Sequence, residues 1–381
     1  MDFDLTDAPP LLADRVNRLV ADTYGDWEKR KTYAREPRGY AGQTWRAMAD
    51  LGLLALPLPS EQGGFDGTPI ETMIVAEAFG RGLVLEPFLP TIILGLGILR
   101  RTAGDSALLA EVAAGDVTLA FAHQERQARH DLHDVATTAM REGDGFILNG
   151  AKGVVLHGDS ADRLIVSART SGARRDRDGL SLFLLDPATP GVTRRGYPTQ
   201  DGTRAAEVVL DHVRVPAAAL LGEPDAALPL IERVTDEAIA ALCAEAVGVM
   251  ETLRDLTVEY LKQRQQFGQP LAGFQALQHR AADMLVATEQ ARSMAYYAAM
   301  MVTHPDAGTR RTALSAAKAL VGRLADSVGK EAIQLHGGIG VTEEYKAGHY
   351  FKRLTVIAGL FGDVDHHLRQ VVAAGGLPDV A

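Results

Sequence analysis

Apolar residues recur at helical spacing over roughly the first 115 positions, and a helical segment is the expectation there. Leu11, Leu12, Val16, Leu19 and Val20 form one set, and Trp45, Met48, Leu51, Leu53 and Leu54 continue it. The break Pro57-Leu58-Pro59-Ser60-Glu61-Gln62-Gly63-Gly64 is rich in turn residues, and helices are expected beyond it at Glu71 to Gly80 and Thr91 to Leu99. The period then changes. Short β-type runs appear at 117–122, 145–150, 163–168, 180–185, 206–210 and 212–215, divided by Gly and Asp turns. From Ala226 the helical period returns in three long stretches, through Leu230 to Met250, Leu277 to Ala291 and Ala313 to Leu335. The order helices, strands, helices predicts an α+β chain.

Composition narrows the class. A chain of 381 residues exceeds the size at which one core stops growing, so more than one domain is expected. No apolar run is long enough to span a bilayer, and Met1-Asp2-Phe3-Asp4 is acidic, unlike a signal peptide; the expectation is a cytoplasmic protein. The single cysteine, Cys243, excludes an intrachain disulfide and reads as a small buried apolar residue of a helix. The net charge of −10 argues against general nucleic-acid affinity, so any polyanionic ligand needs a local cluster of donors.

Two motifs carry chemistry. In Arg264-Gln265-Gln266-Phe267-Gly268-Gln269-Pro270-Leu271, followed by Phe274-Gln275, the guanidinium suits a pyrophosphate and the phenyl ring can lie beside an aromatic system. Taken alone, the segment also reads as one helix ended by Gly268 and another begun after it. The second motif, Gln334-Leu335-His336-Gly337-Gly338-Ile339-Gly340, offers glycines whose N–H groups can approach a phosphate.

Together, these motifs and the segment order resemble the acyl-CoA dehydrogenase family over essentially the full chain. Trp45 to Gly52, Pro57 to Gly64, Glu71 to Arg81 and Asn149-Gly150-Ala151-Lys152 are further matches. The resemblance implies an N-terminal helical domain (1–116), a middle β-barrel or sandwich domain (117–223) and a C-terminal four-helix bundle (224–381). It implies FAD held by Arg264, Phe267, Gln275, Gln334 and Gly338, with Gln124, Val154 and Leu156 on the strand-domain side. It also implies an acyl-CoA substrate, a tetramer in which the first group reaches a neighbour's flavin, and electron-transferring flavoprotein as acceptor.

The departures from the family pattern are as informative. Where the family reads Thr-Glu-Pro and then Gly-Ser-Asp, this chain has Gln124 to Asp131, with Arg126, Arg129 and His130 in place of small residues. That basic group is a candidate substrate site for CoA phosphates or a substrate carboxylate, and equally reads as a solvated charged loop. The family's flavin-covering Trp-Ile-Thr-Asn reads Val154-Val155-Leu156-His157. The family's carboxylate base stands twenty-seven residues beyond the Gln, before a Gly; here Gly362 is present but is preceded by Phe361. A minority of the family places the base on the long helix, and that register falls on Ala238. Glu237 is adjacent but about 100° round the helix. Asp363-Val364-Asp365-His366-His367 holds metal-ligand residue types, yet a helix start explains its acids better.

Three readings follow. The first is the base-less subunit of a heteromeric dehydrogenase, similar to the small subunits paired in pimeloyl-CoA and steroid side-chain dehydrogenases. The second is a self-sufficient homotetramer that uses Glu237 as base. The third is a non-catalytic scaffold or ligand-binding relative.

Overall fold

The computed structural model describes residues 8–102 and 106–376, so Met1-Asp2-Phe3-Asp4 lies outside the described residues. The first helices are α1 (Ala8–Tyr24), α2 (Trp27–Ala34), α3 (Gly42–Asp50) and α4 (Pro69–Gly82). The start of α4 is a capping box. The Thr68 hydroxyl accepts from the Ile70 N–H at 3.2 Å, and the Glu71 carboxylate accepts from the Thr68 N–H at 2.8 Å. The helix expected at 91–99 is π-helical over Leu89–Leu96 and becomes α-helical only in α5 (Gly97–Leu99); α6 (Ser106–Ala113) follows.

Eight strands come next: β1 (Leu119–Ala122), β2 (Thr138–Glu142), β3 (Gly145–Leu156), β4 (Arg163–Arg169), β5 (Leu180–Leu185), β6 (Val192–Pro198), β7 (Arg204–Pro216) and β8 (Leu220–Leu221). They form one sheet in the order β6-β7-β3-β2-β4-β5-β8, with β1 added parallel to β4. The runs at 206–210 and 212–215 are one strand, β7. Its register against β3 shifts between Leu148 and Gly150, and there the Asn149 side-chain oxygen accepts from the His212 N–H at 2.9 Å. A bulge with its own side-chain acceptor looks like a strand break in sequence.

The remaining elements are α7 (Leu228–Gln263), the strand pair β9 (Gln265–Gln266) and β10 (Gln269–Pro270), α8 (Gln275–Met301), α9 (Ala307–His336), α10 (Ala347–Gly359) and α11 (Val364–Ala373). Contacts divide the chain into one unit of Met1–Arg30, Thr68–Val84 and Ile239–Ala381, and another of Lys31–Gly67 and Leu85–Ala238. Among the described residues no helix is long and apolar enough to cross a membrane.

In the first unit α4 and α7 approach through glycine. A Cβ on Gly80 would lie 2.1 Å from the Glu245 carbonyl, and one on Gly248 would lie 1.9 Å from the Glu77 carbonyl. Two backbones can meet this closely only where both lack a side chain. Charge ties the same crossing together: Arg81 bonds Glu251 at 2.7 Å, and Arg292 bonds Glu77 at 2.5 Å and Glu251 at 3.3 Å.

In the second unit an ion pair sits inside the apolar sheet core of Leu148, Val166, Phe183, Val208 and Val213. Lys152 on β3 and Glu125 are 1% and 2% exposed, and their charged atoms are 2.7 Å apart. The ammonium also donates to the His123 carbonyl at 3.3 Å and to the Ser167 hydroxyl at 3.1 Å. All three of its protons thus have acceptors. The carboxylate accepts in turn from the Thr137 hydroxyl (2.6 Å), the Thr137 N–H (3.0 Å), the Ala136 N–H (2.8 Å) and the Gln127 amide (2.6 Å). Burial pushes the Glu125 carboxyl up, but the Lys152 charge and these hydrogen bonds outweigh it and bring it down to about 2. Burial lowers Lys152 to about 8 against the opposing pull of Glu125. Burial, with Lys152 beside it, lowers His123 to about 3, so its imidazole is neutral.

Two outcomes are expected. Gly248→Ala should destabilise the fold by about 1–3 kcal/mol in urea unfolding, because the added methyl meets a carbonyl that cannot rotate away; an unchanged midpoint would contradict the crossing. The folded pKa of Glu125 lies below the 4.5 of a free side chain. Its stabilisation is therefore complete above that value and is lost as pH falls toward about 2. Denaturant midpoints measured from about pH 5 downward should fall less steeply for Glu125→Gln than for the parent chain. Parallel curves would show that Glu125 is not the group responsible.

Candidate functional site

The 264–275 segment is not the simple helix junction that Gly268 suggested. α7 ends at Gln263, and Gln266 pairs with Gln269 across a two-residue turn. Phe267 and Gly268 hold φ of 53° and 81°. A two-residue hairpin turn of this kind needs φ > 0 at both central residues, which explains the glycine and strains the phenylalanine. The Leu271 N–H donates to the Arg264 carbonyl at 2.8 Å and closes the loop. Phe267 is 89% exposed at the tip, with Phe274 edge-on at 6.2 Å between centroids. Arg264 and Gln275 are exposed as well.

Gln334, also exposed, lies near the end of α9, and a 3-10 turn Gly337–Val341 follows. Gly337 has φ 66° and ψ −143°, a conformation that only glycine adopts easily. A Cβ on Gly338 would meet nothing within 4 Å, so this backbone is open to a ligand. Beneath it, buried His336 bonds the Ala332 carbonyl at 2.8 Å and the Tyr345 hydroxyl at 3.3 Å, and Tyr260 packs 4.7 Å from its ring. Burial holds this imidazole below its ordinary pKa. Each segment offers groups suited to a dinucleotide such as FAD, the open glycine backbone and an amide in one, a guanidinium, an amide and a ring to lie beside an aromatic system in the other. His336 stood inside the motif without a role in the sequence reading; its function is to support the turn from below.

In the second unit Gln124 is exposed, and its carbonyl accepts from the Gly153 N–H at 2.9 Å. Val154 follows at φ 51° and 40% exposure, where the β3–β7 register shifts between Lys152 and Val155. A β-branched residue in this region is strained. Leu156 is half-buried. Neither Val154 nor Leu156 offers a side-chain hydrogen bond. Arg126 and Arg129 are exposed on the same loop as half-buried His130, and Arg129 holds φ 52°.

The turn that would carry a base is fully built. Lys318 on α9, 2% exposed, donates to the carbonyls of Ile357 (2.9 Å), Ala358 (3.1 Å) and Gly362 (3.1 Å). Burial lowers Lys318 to about 8, against the pull of Cys243 and Asp363. Gly362 has φ 122°, and a Cβ there would lie 2.5 Å from His367 Nε2. Half-buried Phe361, at φ 57°, stands where the family resemblance implied a carboxylate. The Asp363 side chain caps α11 by accepting from the His366 N–H at 2.7 Å, so the acid nearest Phe361 in sequence is engaged elsewhere. Cys243 is buried, and burial raises its thiol to about 12. No group of three metal-ligating side chains occurs among the described residues.

Glu237 stands in a clamp of arginines. Its two oxygens accept from Arg101 at 2.6 and 3.1 Å and from Arg233 at 3.0 Å, with Arg100 at 3.7 Å. A carboxylate fixed on both oxygens by guanidinium donors is not free to approach a C–H bond, which counts against Glu237 as base. Ala238 is fully buried.

Residues 10–101, 120–213 and 228–376 match the families described as the N-terminal, middle and C-terminal domains of acyl-CoA dehydrogenase. The chain is 30% identical over 358 residues to the probable acyl-CoA dehydrogenase YngJ of Bacillus subtilis, covering 91% of this chain and 92% of that one. It is 31% identical over 352 residues to the cyclohexane-1-carbonyl-CoA dehydrogenase of Geobacter metallireducens, covering 89% and 90%. Among solved structures, the butyryl-CoA dehydrogenase of Megasphaera elsdenii superposes with a TM-score of 0.85 at 26% identity over 98% and 99% of the two chains. The Tcur3481-Tcur3483 steroid acyl-CoA dehydrogenase gives 0.86 at 28% over 97% of each, and the FAD complex of PigA gives 0.89 at 25% over 99% and 100%. The protein belongs to the acyl-CoA dehydrogenase family and is a FAD-dependent oxidoreductase acting on acyl-CoA.

Proposed function

We propose that this chain is the base-less subunit of a heteromeric acyl-CoA dehydrogenase, paired with a homologous subunit that carries the carboxylate. One observation carries the reading: the turn anchored by Lys318 holds phenylalanine at position 361, where the family resemblance implies a carboxylate, and the two candidate acids, Asp363 and Glu237, are each held in other bonds. Removing a proton alpha to a thioester needs a carboxylate within reach of that carbon, and Phe361 offers none. FAD, when bound, supplies the hydride acceptor. Arg264, Phe267, Gln275, Gln334 and Gly338 supply the grip on a flavin nucleotide, and the exposed, strained tip at Phe267 suits insertion against a second subunit. Arg126, Arg129 and His130 take the phosphates or a carboxylate of the acyl-CoA. Electron-transferring flavoprotein is the acceptor in this reading. The Tcur3481-Tcur3483 enzyme, named for two components, lends support.

The lone chain is expected to show no dehydrogenation of any acyl-CoA. Co-expression with a neighbouring homologous gene should give a complex with about half as many flavins as chains by absorbance. Turnover by the lone protein would sink the proposal. Glu237→Gln removes the counter-ion of three arginines, so it should lower thermal stability while leaving turnover per flavin of the complex within about twofold. A drop of about 10²-fold or more would instead mark Glu237 as the base.

A further inference from the structure

The loop from Glu125 to Thr137 is held by two buried charges of opposite sign. Glu125 closes its base, because one carboxylate at the start of the loop accepts from the Ala136 and Thr137 N–H groups at its end. Arg169, 6% exposed, holds the stretch just before that end. That guanidinium donates to the carbonyls of His133 (2.9 Å) and Val135 (3.4 Å) in the loop. It also reaches Ser171 (3.4 Å), Arg174 (2.9 Å), Asp176 (3.0 Å) and Asp178 (2.8 Å) in the facing segment. Five N–H donors in a planar fork, one of them shared between two carbonyls, serve these six acceptors, and a lysine with three could not.

Charge then sorts itself by position. Glu125 is neutralised by Lys152. Asp134 takes Arg174 at 2.6 Å and Arg175 at 3.7 Å, and Asp131 takes Arg175 at 3.0 Å. Every acid of the loop therefore has an internal cation. Among the described residues Arg126 and Arg129 have no acidic partner; both are exposed, and Arg129 is held in a left-handed conformation. A strained residue on a loop closed at its base by Glu125 and held again at 133–135 by Arg169 points to a loop built to present something. In a chain of net charge −10, two uncompensated cations held at set positions form a local anion site.

We propose that Glu125, with its partner Lys152, and Arg169 are positioning residues that fix Arg126 and Arg129 as receptors for the phosphate groups of the acyl-CoA. The proposal rests on the reading of that loop as substrate-facing. It adds that affinity depends on buried residues which never touch the ligand. Glutamine cannot replace Glu125. One oxygen of the carboxylate accepts three hydrogen bonds and the other two, and an amide would turn a donor toward donors on one side.

The test measures coenzyme A binding by calorimetry on the full-length protein, in the assembly in which it purifies, over a range of salt. Arg126→Ala/Arg129→Ala should weaken binding by on the order of tenfold per arginine and flatten the salt dependence. Lys152→Met alone leaves a buried carboxylate unpaired and is expected to fold poorly, so the decisive variant is Glu125→Gln/Lys152→Met, which removes both charges together. Expected is a folded protein by circular dichroism whose coenzyme A affinity and salt slope both fall to those of the double arginine variant. If it binds coenzyme A with the parent's affinity and salt slope while Arg126→Ala/Arg129→Ala is weakened, the positioning role is overturned and the loop reading stands. If the double arginine variant binds as the parent does, the loop reading fails and the positioning role falls with it.

Discussion

A lysine on an interior strand and a glutamate, both with almost no solvent contact, meet inside the second unit, and the placement of the segments around them depends on that meeting. Moving one such ion out of water costs several kcal/mol after relaxation, and Coulomb attraction repays it only when geometry and remaining hydrogen bonds are complete. Here they are complete: three acceptors surround the ammonium and four further donors surround the carboxylate. Such a pair adds little net stability over an apolar isostere. What it fixes is the relative placement of its supports. The segment after β1, strand β3, strand β4 and the two ends of the 125–137 loop are each bonded to one of two charges. Val154, two residues after Lys152, stands exposed where the β3–β7 register shifts.

The same device recurs in the first unit with carbonyls in place of the carboxylate. Lys318 gathers three backbone oxygens from the end of α10 and the turn beyond it. Phe361 sits in that turn with a positive φ, a conformation that costs a bulky residue about 1–3 kcal/mol and persists only where its surroundings over-determine it. The capped helix after Asp363 and the crowding of Gly362 against His367 supply that over-determination. The turn's geometry is thus independent of the chemistry of residue 361.

The sequence shows the long helices and the apolar strands well because each repeats its own burial period. α7 and α9 carry continuous apolar stripes, and β4 and β5 are almost wholly buried. β2 and β6 escape notice for the opposite reason. Ala139 is the only buried residue of β2, and β6 shows no buried residue at all, so neither carries the alternation that announces a strand. The hairpin at Phe267 reads as a helix cap because a Gly with positive φ serves both structures. The residues of the FAD motifs are legible as residue types, and their exposure is not. Glu237's commitments are beyond local reading altogether: Arg101 stands 136 residues away in sequence, and proximity between them exists only in the folded chain.

The placement of the acids joins these observations into one account of the chemistry. Glu125 is fixed by Lys152, Asp131 and Asp134 by the arginines of the facing segment, Glu237 by its clamp, and Asp363 by the start of α11. Each of these carboxylates has at least one oxygen committed to another group. Cations are distributed the other way, with Arg126, Arg129 and Arg264 exposed while the buried lysines hold backbone and glutamate. In the proposed reading Arg126 and Arg129 of the second unit suit an anionic thioester and Arg264 of the first suits a flavin nucleotide, while none of the five acids named above takes the proton. Electrostatic preorganisation and proton abstraction are separable demands on an enzyme. This chain's exposed cations suit the first, and in the proposed reading the second enters from a carboxylate that another subunit brings.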